Sequence, residues 1–171
     1  MPTYQVYTGS IQQLRFSNTI TQEIFLEYHI PHNYLPNSDM FIHVHWSQIV
    51  IDSGGLAGIP GTAKWSFDVS YSKGHQQEAF RSPISLFVTQ QGSSTQFMHN
   101  IGEIQLSAAS PTASQLDSND IEVDGVILIR MWRDPTDLAN TLNQFPYVHF
   151  VDIHYQSTGI GTRNKAPNFY V

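Results

Sequence analysis

Two histidines one residue apart, His43 and His45, stand in the run Met40-Phe41-Ile42-His43-Val44-His45-Trp46. In an extended strand side chains alternate between faces, so both rings share a side with Phe41, while Ile42, Val44 and Trp46 share the other. The second set reads as core. The first must meet something that accommodates imidazole: a metal ion, a neighbouring subunit or water. Positions i and i+2 of a strand can ligate one metal together, and His154 or His149 could add a nitrogen from another strand. The metal alternative is therefore His43, His45 and His154. The reading adopted is that the rings face neighbouring subunits and are satisfied by hydrogen bonds, with no metal and no cofactor. Histidine titrates near pH ~6.5, so rings crowded at a subunit axis would repel once protonated, and assembly should weaken toward pH ~5.

Other motifs carry less chemistry. A cupin-type metal site would need a Glu about four residues after the His pair, and Gln48-Ile49-Val50-Ile51 offers no carboxylate. Asp120-Ile121-Glu122-Val123-Asp124-Gly125 begins like a calcium loop, but Met131 occupies the position of the bidentate Glu. The stretch reads better as the start of a strand with its acidic side exposed. There is no G-x-S-x-G for a nucleophile elbow. Gly54, Gly55, Gly58 and Gly61 match neither phosphate-binding fingerprint, and read as a tip between strands. Trp46, Trp65 and Trp132 could form a sugar-stacking platform, but all three fit the buried sides of strands. No catalytic constellation emerges, and the chain is not expected to be an enzyme.

Composition bounds the rest. The 171 residues suit one domain with a single core, with residues 1–18 a possible anchoring arm or first strands and 19–171 the domain proper. Charged residues make up 13%, against roughly 25% in typical globular domains. A surface so poor in charge suits a protein packed against others. A net charge of −6 with no Lys/Arg run argues against nucleic acid as partner. No cysteine is present, so there are no disulfides and no thiolate chemistry. The first residues lack the pattern of a secretory signal, and no apolar stretch reaches membrane-span length, so no membrane is expected.

The elements that must position these residues are strands. Trp65, Phe67, Val69 and Tyr71 alternate with Ser66, Asp68, Ser70 and Ser72 over 64–72. Comparable runs cover 11–17, 23–30, 40–51, 84–89, 97–107, 123–132 and 147–156. About eight strands parted by turn-rich loops predict an all-β, antiparallel β-sandwich or jelly roll. One short helix is expected in a loop: Asp134 can cap, Pro135 suits the first turn, and Leu138 and Leu142 are four apart. The expected core includes Val44, Trp46, Trp65, Phe67, Val69, Leu128 and Ile153.

Two late strands are apolar on both faces. Val126, Leu128 and Trp132 lie on one side of theirs, with Ile127, Ile129 and Met131 on the other. Simple alternation over 147–155 puts His149, Val151, Ile153 and Tyr155 together, opposite Val148, Phe150, Asp152 and His154. A surface strand of a monomeric sandwich should show one polar face. Either a loop or helix covers the second face, or another copy of the chain does. The expected oligomer interface comprises His43, His45, Ile127, Ile129, Met131, His149 and Val151. Tyr4, Val6 and Tyr7 could add a strand to a partner's sheet edge, unless 5–8 is simply the first strand of the domain.

Pro31-His32-Asn33-Tyr34, a spacer, and Phe41-Ile42-His43-Val44-His45-Trp46 resemble blocks in small structural proteins of tailed bacteriophages. The similarity continues through 63–71, Ile129-Arg130-Met131-Trp132-Arg133-Asp134 and Asp152-Ile153-His154-Tyr155-Gln156, and ends in 161–170. It implies a virion component made in the host bacterial cytoplasm: a β-sandwich that assembles as a homotrimer on the capsid or tail. The first functional expectation is a decoration or cement protein bound to the major capsid protein or another virion protein, anchored through Tyr4, Val6 and Tyr7. The alternatives are a tail knob or fibre contacting host glycan through loops 52–62 and 108–119, and a His-x-His metal-dependent enzyme.

Overall fold

The computed structural model describes residues 1–49, 60–74 and 77–158. The glycine tip at 54–58, most of the 52–62 loop, residues 50–51 of the expected strand and the 161–170 block lie outside these residues. Among them the chain forms eleven strands: β1 Thr3–Thr8, β2 Ile11–Arg15, β3 Gln22–His29, β4 Met40–Ser47, β5 Thr62–Ser72, β6 Ile84–Gln91, β7 Asn100–Gln105, β8 Ser107–Ala108, β9 Leu116–Asp117, β10 Val126–Arg133 and β11 Tyr147–Tyr155. A five-stranded sheet runs β1-β2-β11-β4-β7 and a four-stranded sheet β3-β10-β5-β6, with every neighbour antiparallel. β8 and β9 form a separate short parallel pair. Apart from the β1–β2 and β5–β6 hairpins and the β8–β9 pair, successive strands lie in opposite sheets, and the result is an antiparallel β-sandwich.

The eight expected runs all contain strands, and β1 and β9 add to them. No helix forms at 134–142, and the only helical turn among the described residues is a 3-10 turn at Ser118–Asp120. Asp134 accepts the Thr136 N–H at 2.9 Å, and Asp137 accepts that of Ala139 at 2.9 Å. Asp134 makes the bond expected of a cap, but Asp137 then closes a second turn on its own backbone, the competing geometry that disfavours Asp inside helices. Leu138, spaced four from Leu142 in the expected helix, is 96% exposed, whereas Leu142 is buried. β10 likewise begins at Val126 rather than Val123, because Asp124 takes a left-handed backbone (φ 61°) in the preceding turn.

The core lies between the sheets. Met40, Ile42, Val44 and Trp46 of β4 meet Trp65, Phe67, Val69 and Tyr71 of β5, all buried. Trp65 packs edge-on against Phe16, 5.3 Å between ring centroids, and against Trp46 at 6.0 Å. On β10 the inner face is the reverse of the one expected. Ile127, Ile129 and Met131 are buried in the core, so they cannot form an oligomer interface, whereas Leu128 is 39% exposed. Both faces of β10 are apolar, so alternation alone does not say which turns inward. Trp132 also lies on the outer side, beneath the Arg130 guanidinium at 4.5 Å, rather than in the core.

Arg133 ends β10 fully buried, donating hydrogen bonds to the backbone carbonyls of Ser17 and, at 2.9 Å, Leu142. It ties the loop before β3 to the loop before β11. Burial pulls its pKa down to about 10.

Candidate metal centre on the five-stranded sheet

β4 sits between β11 and β7, with Asp152 opposite His43 on one side and Glu103 opposite it on the other. Cross-strand partners share a face. The outer face therefore gathers His43 and His45 from β4, Asp152 and His154 from β11, and Glu103 from β7. One ligating atom from each of His43, His45, Asp152 and His154 lies within 4.8 Å of all the others.

The two β4 histidines are buried on the outer face of the sheet, beneath side chains of the flanking strands. The His154 ring stacks on His43 with 3.8 Å between centroids, and Phe150 stacks on His45 at 3.9 Å. His43 Nε2 donates to Glu103 Oε2 at 2.7 Å. His45 Nδ1 shares a 2.8 Å hydrogen bond with His99 Nε2. His154 Nε2 donates to Asp152 Oδ2 at 3.0 Å. Burial holds the pKa of both β4 rings below the ordinary histidine range; the neighbouring His154 adds to the effect at His43, while Asp152 opposes it at His45. Neutral imidazole, the form that ligates metals, is thus the favoured state.

One contact in this network is unsatisfied. His45 Nε2 and Asp152 Oδ1 approach to 3.2 Å, yet they are not aligned for a hydrogen bond, and both atoms are buried without a hydrogen-bond partner.

His149 arrives by a different route. Trp46 pairs with Val148 and His45 with Phe150, so β11 carries one extra residue between them. This bulge resets the alternation. Val148, Val151 and Ile153 turn toward the core, while His149 and Phe150 both point outward. His149 Nε2 meets Ser47 Oγ at 2.9 Å, and burial lowers its pKa, with His99 adding to the effect. Val151 packs against the core, which removes it from the expected interface. Tyr7 is likewise engaged within its own chain: its hydroxyl meets Ser47 Oγ at 2.6 Å and its ring packs on Tyr147, His149 and Phe97. Tyr4 and Val6 remain exposed on β1, an edge strand.

Asp152, Glu103 and His99 were not singled out from sequence as ligands or supports. Asp152-x-His154 repeats on β11 the i, i+2 spacing of His43-x-His45, and was a readable signal. Glu103 and His99 have none, because only strand register brings β7 beside β4. Three imidazoles and a carboxylate are donors that suit zinc-class divalent ions. In the 108–119 loop, Asn119 Nδ2 bonds Ala109 O at 3.0 Å and Gln115 Oε1 accepts from Thr112; no stacking aromatic lies in that stretch of sequence. No helix among the described residues is long and apolar enough to cross a membrane. No protein-family model matches the chain, and no curated protein matches it.

Proposed function

We propose that this protein is a structural component of a tailed-bacteriophage virion, a homotrimeric decoration protein that binds the major capsid protein or another virion protein. The observation that carries the reading is that both sheets present apolar side chains outward. On the four-stranded sheet Phe25, 67% exposed, and Leu128 line a depression of about 640 Å³ together with Pro83, Asp68 and Arg130. On the five-stranded sheet Phe150 and Ile101 are exposed beside the histidine cluster. Outward apolar faces on a chain so poor in charge suit a subunit that is covered on more than one side. The resemblance to phage structural proteins supports the same reading. Trimer contacts form through the outer side of β3 and β10, around Phe25 and Leu128. Tyr4 and Val6, on the free edge of β1, meet the capsid by strand addition.

The test adds purified protein to particles of the phage that encodes it and sediments the mixture. Saturable, stoichiometric binding to heads supports the reading. Binding to host polysaccharide without binding to heads would replace it with a tail-knob role. Binding to neither would end it.

A further inference from the structure

We propose that His43, His45, Asp152 and His154 form a site within each chain for one divalent cation of the zinc class, which clips β4 to β11. The ligands are two i, i+2 pairs on adjacent antiparallel strands, so the sheet itself sets the spacing of the donors. At metal–ligand bonds of about 2.0–2.1 Å, the donor atoms of a tetrahedral centre stand about 3.3–3.4 Å apart. The 3.2 Å between His45 Nε2 and Asp152 Oδ1 is close to that edge length.

The same pair supplies the independent reason to expect a ligand. His45 is only 7% exposed, and its Nε2 and the Asp152 Oδ1 face each other without a hydrogen bond. With Nδ1–H of His45 donated to His99, two lone pairs oppose across the gap. With the other tautomer, the Nε2–H is misdirected. A cation bound by both atoms satisfies each of them, as burial requires.

Neighbouring side chains brace the two β4 rings. Glu103 accepts from Nε2 of His43, and His99 holds Nδ1 of His45. A carboxylate or imidazole on the far nitrogen fixes tautomer and ring direction in metal sites. His154 must turn off its stack on His43 to aim at the same point, and at 30% side-chain exposure it has room to do so. Four protein ligands close a tetrahedral centre, which makes the ion structural rather than a generator of hydroxide.

The experiment uses the untagged full-length protein, stripped with a chelator and titrated with Zn²⁺, with Mg²⁺ as a hard-cation control. Calorimetry and elemental analysis give stoichiometry, and the unfolding midpoint gives a second readout. We expect one Zn²⁺ per chain, a raised midpoint, and no response to Mg²⁺. His45→Gln and Asp152→Asn should each weaken Zn²⁺ binding at least tenfold. His154→Gln, at a half-exposed position that tolerates substitution, should do the same with the fold intact by circular dichroism. Glu103→Gln, a positioning change, should cost about 10–100-fold. His32→Gln is the control, because His32 and His29 flank Asp124 at 2.8 and 3.2 Å in a separate surface cluster. Binding lost in His32→Gln but kept in His154→Gln would overturn the site. So would one ion per three chains, or no saturable binding.

Discussion

The ring of Phe150 lies flat on that of His45, 3.9 Å between centroids and 16° between planes. A half-exposed phenylalanine thus serves as a lid on a buried histidine at the outer face of the sheet. Removing the lid should open His45 to reagent. In the metal-stripped protein, diethyl pyrocarbonate should label exposed His32 readily and His45 slowly. In Phe150→Ala the labelling rate of His45 should rise severalfold; an unchanged rate would mean that other groups shield the ring.

Trp65 and Phe67 fill the space between the sheets with no exposure. Truncating either to Ala should cost roughly 3–5 kcal/mol in denaturant unfolding. Leu138→Ala, at a fully solvated turn, should stay within about 0.5 kcal/mol. Equal losses at the two kinds of site would contradict the packing.

Arg133, fully buried, donates to the backbone carbonyls of Ser17 and Leu142. Arg133→Ala should lower stability by roughly 2–5 kcal/mol, through lost packing and orphaned carbonyls. Arg133→Met keeps volume and removes the buried charge, so its loss should be smaller, about 1–3 kcal/mol. If Met is as damaging as Ala, hydrogen bonding rather than volume sets the cost.

His149 gives a pH dependence with a defined sign. Its folded pKa lies below the unfolded value of about 6.5, because burial disfavours the charged ring. Its contribution is therefore fully present above pH ~6.5 and is lost as pH falls toward the folded pKa, where the unfolded chain takes up the proton first. Thermal unfolding of the wild type should drop more steeply between pH ~7 and ~5 than that of His149→Gln. Parallel curves would remove His149 from the account.

The trimer contact can be tested on β10 by comparing its two faces. Leu128→Glu, on the outer side, should leave a folded monomer in sedimentation velocity at micromolar concentration. Ile129→Glu, in the core, should unfold the chain instead, because burying an unpaired charge is costly. A trimer that survives Leu128→Glu would move the interface off the four-stranded sheet.

The amino-acid sequence alone determined the strands, because alternation over 64–72 and 40–46 depends only on the period of the backbone. It also determined that Val44, Trp46, Trp65, Phe67 and Val69 turn inward, since polar or chemically distinct residues mark their opposite faces. Tertiary structure decided three things that alternation does not encode. It chose the inner face of β10, where Ile127 and Leu128 are equally apolar and only the opposing sheet breaks the tie. It placed the β11 bulge at 148–150, where one extra residue against His45 sends His149 outward and Val151 inward. It set the register that brings Glu103, 60 residues further along the chain, and Asp152, more than 100 residues further along, beside His43. The short helix failed for a local reason, Asp137, whose carboxylate captures its own backbone inside the expected span. The cluster on the outer face arose for a long-range one: hydrogen-bond pairing between strands, which no single segment of the chain contains, decides which side chains become neighbours.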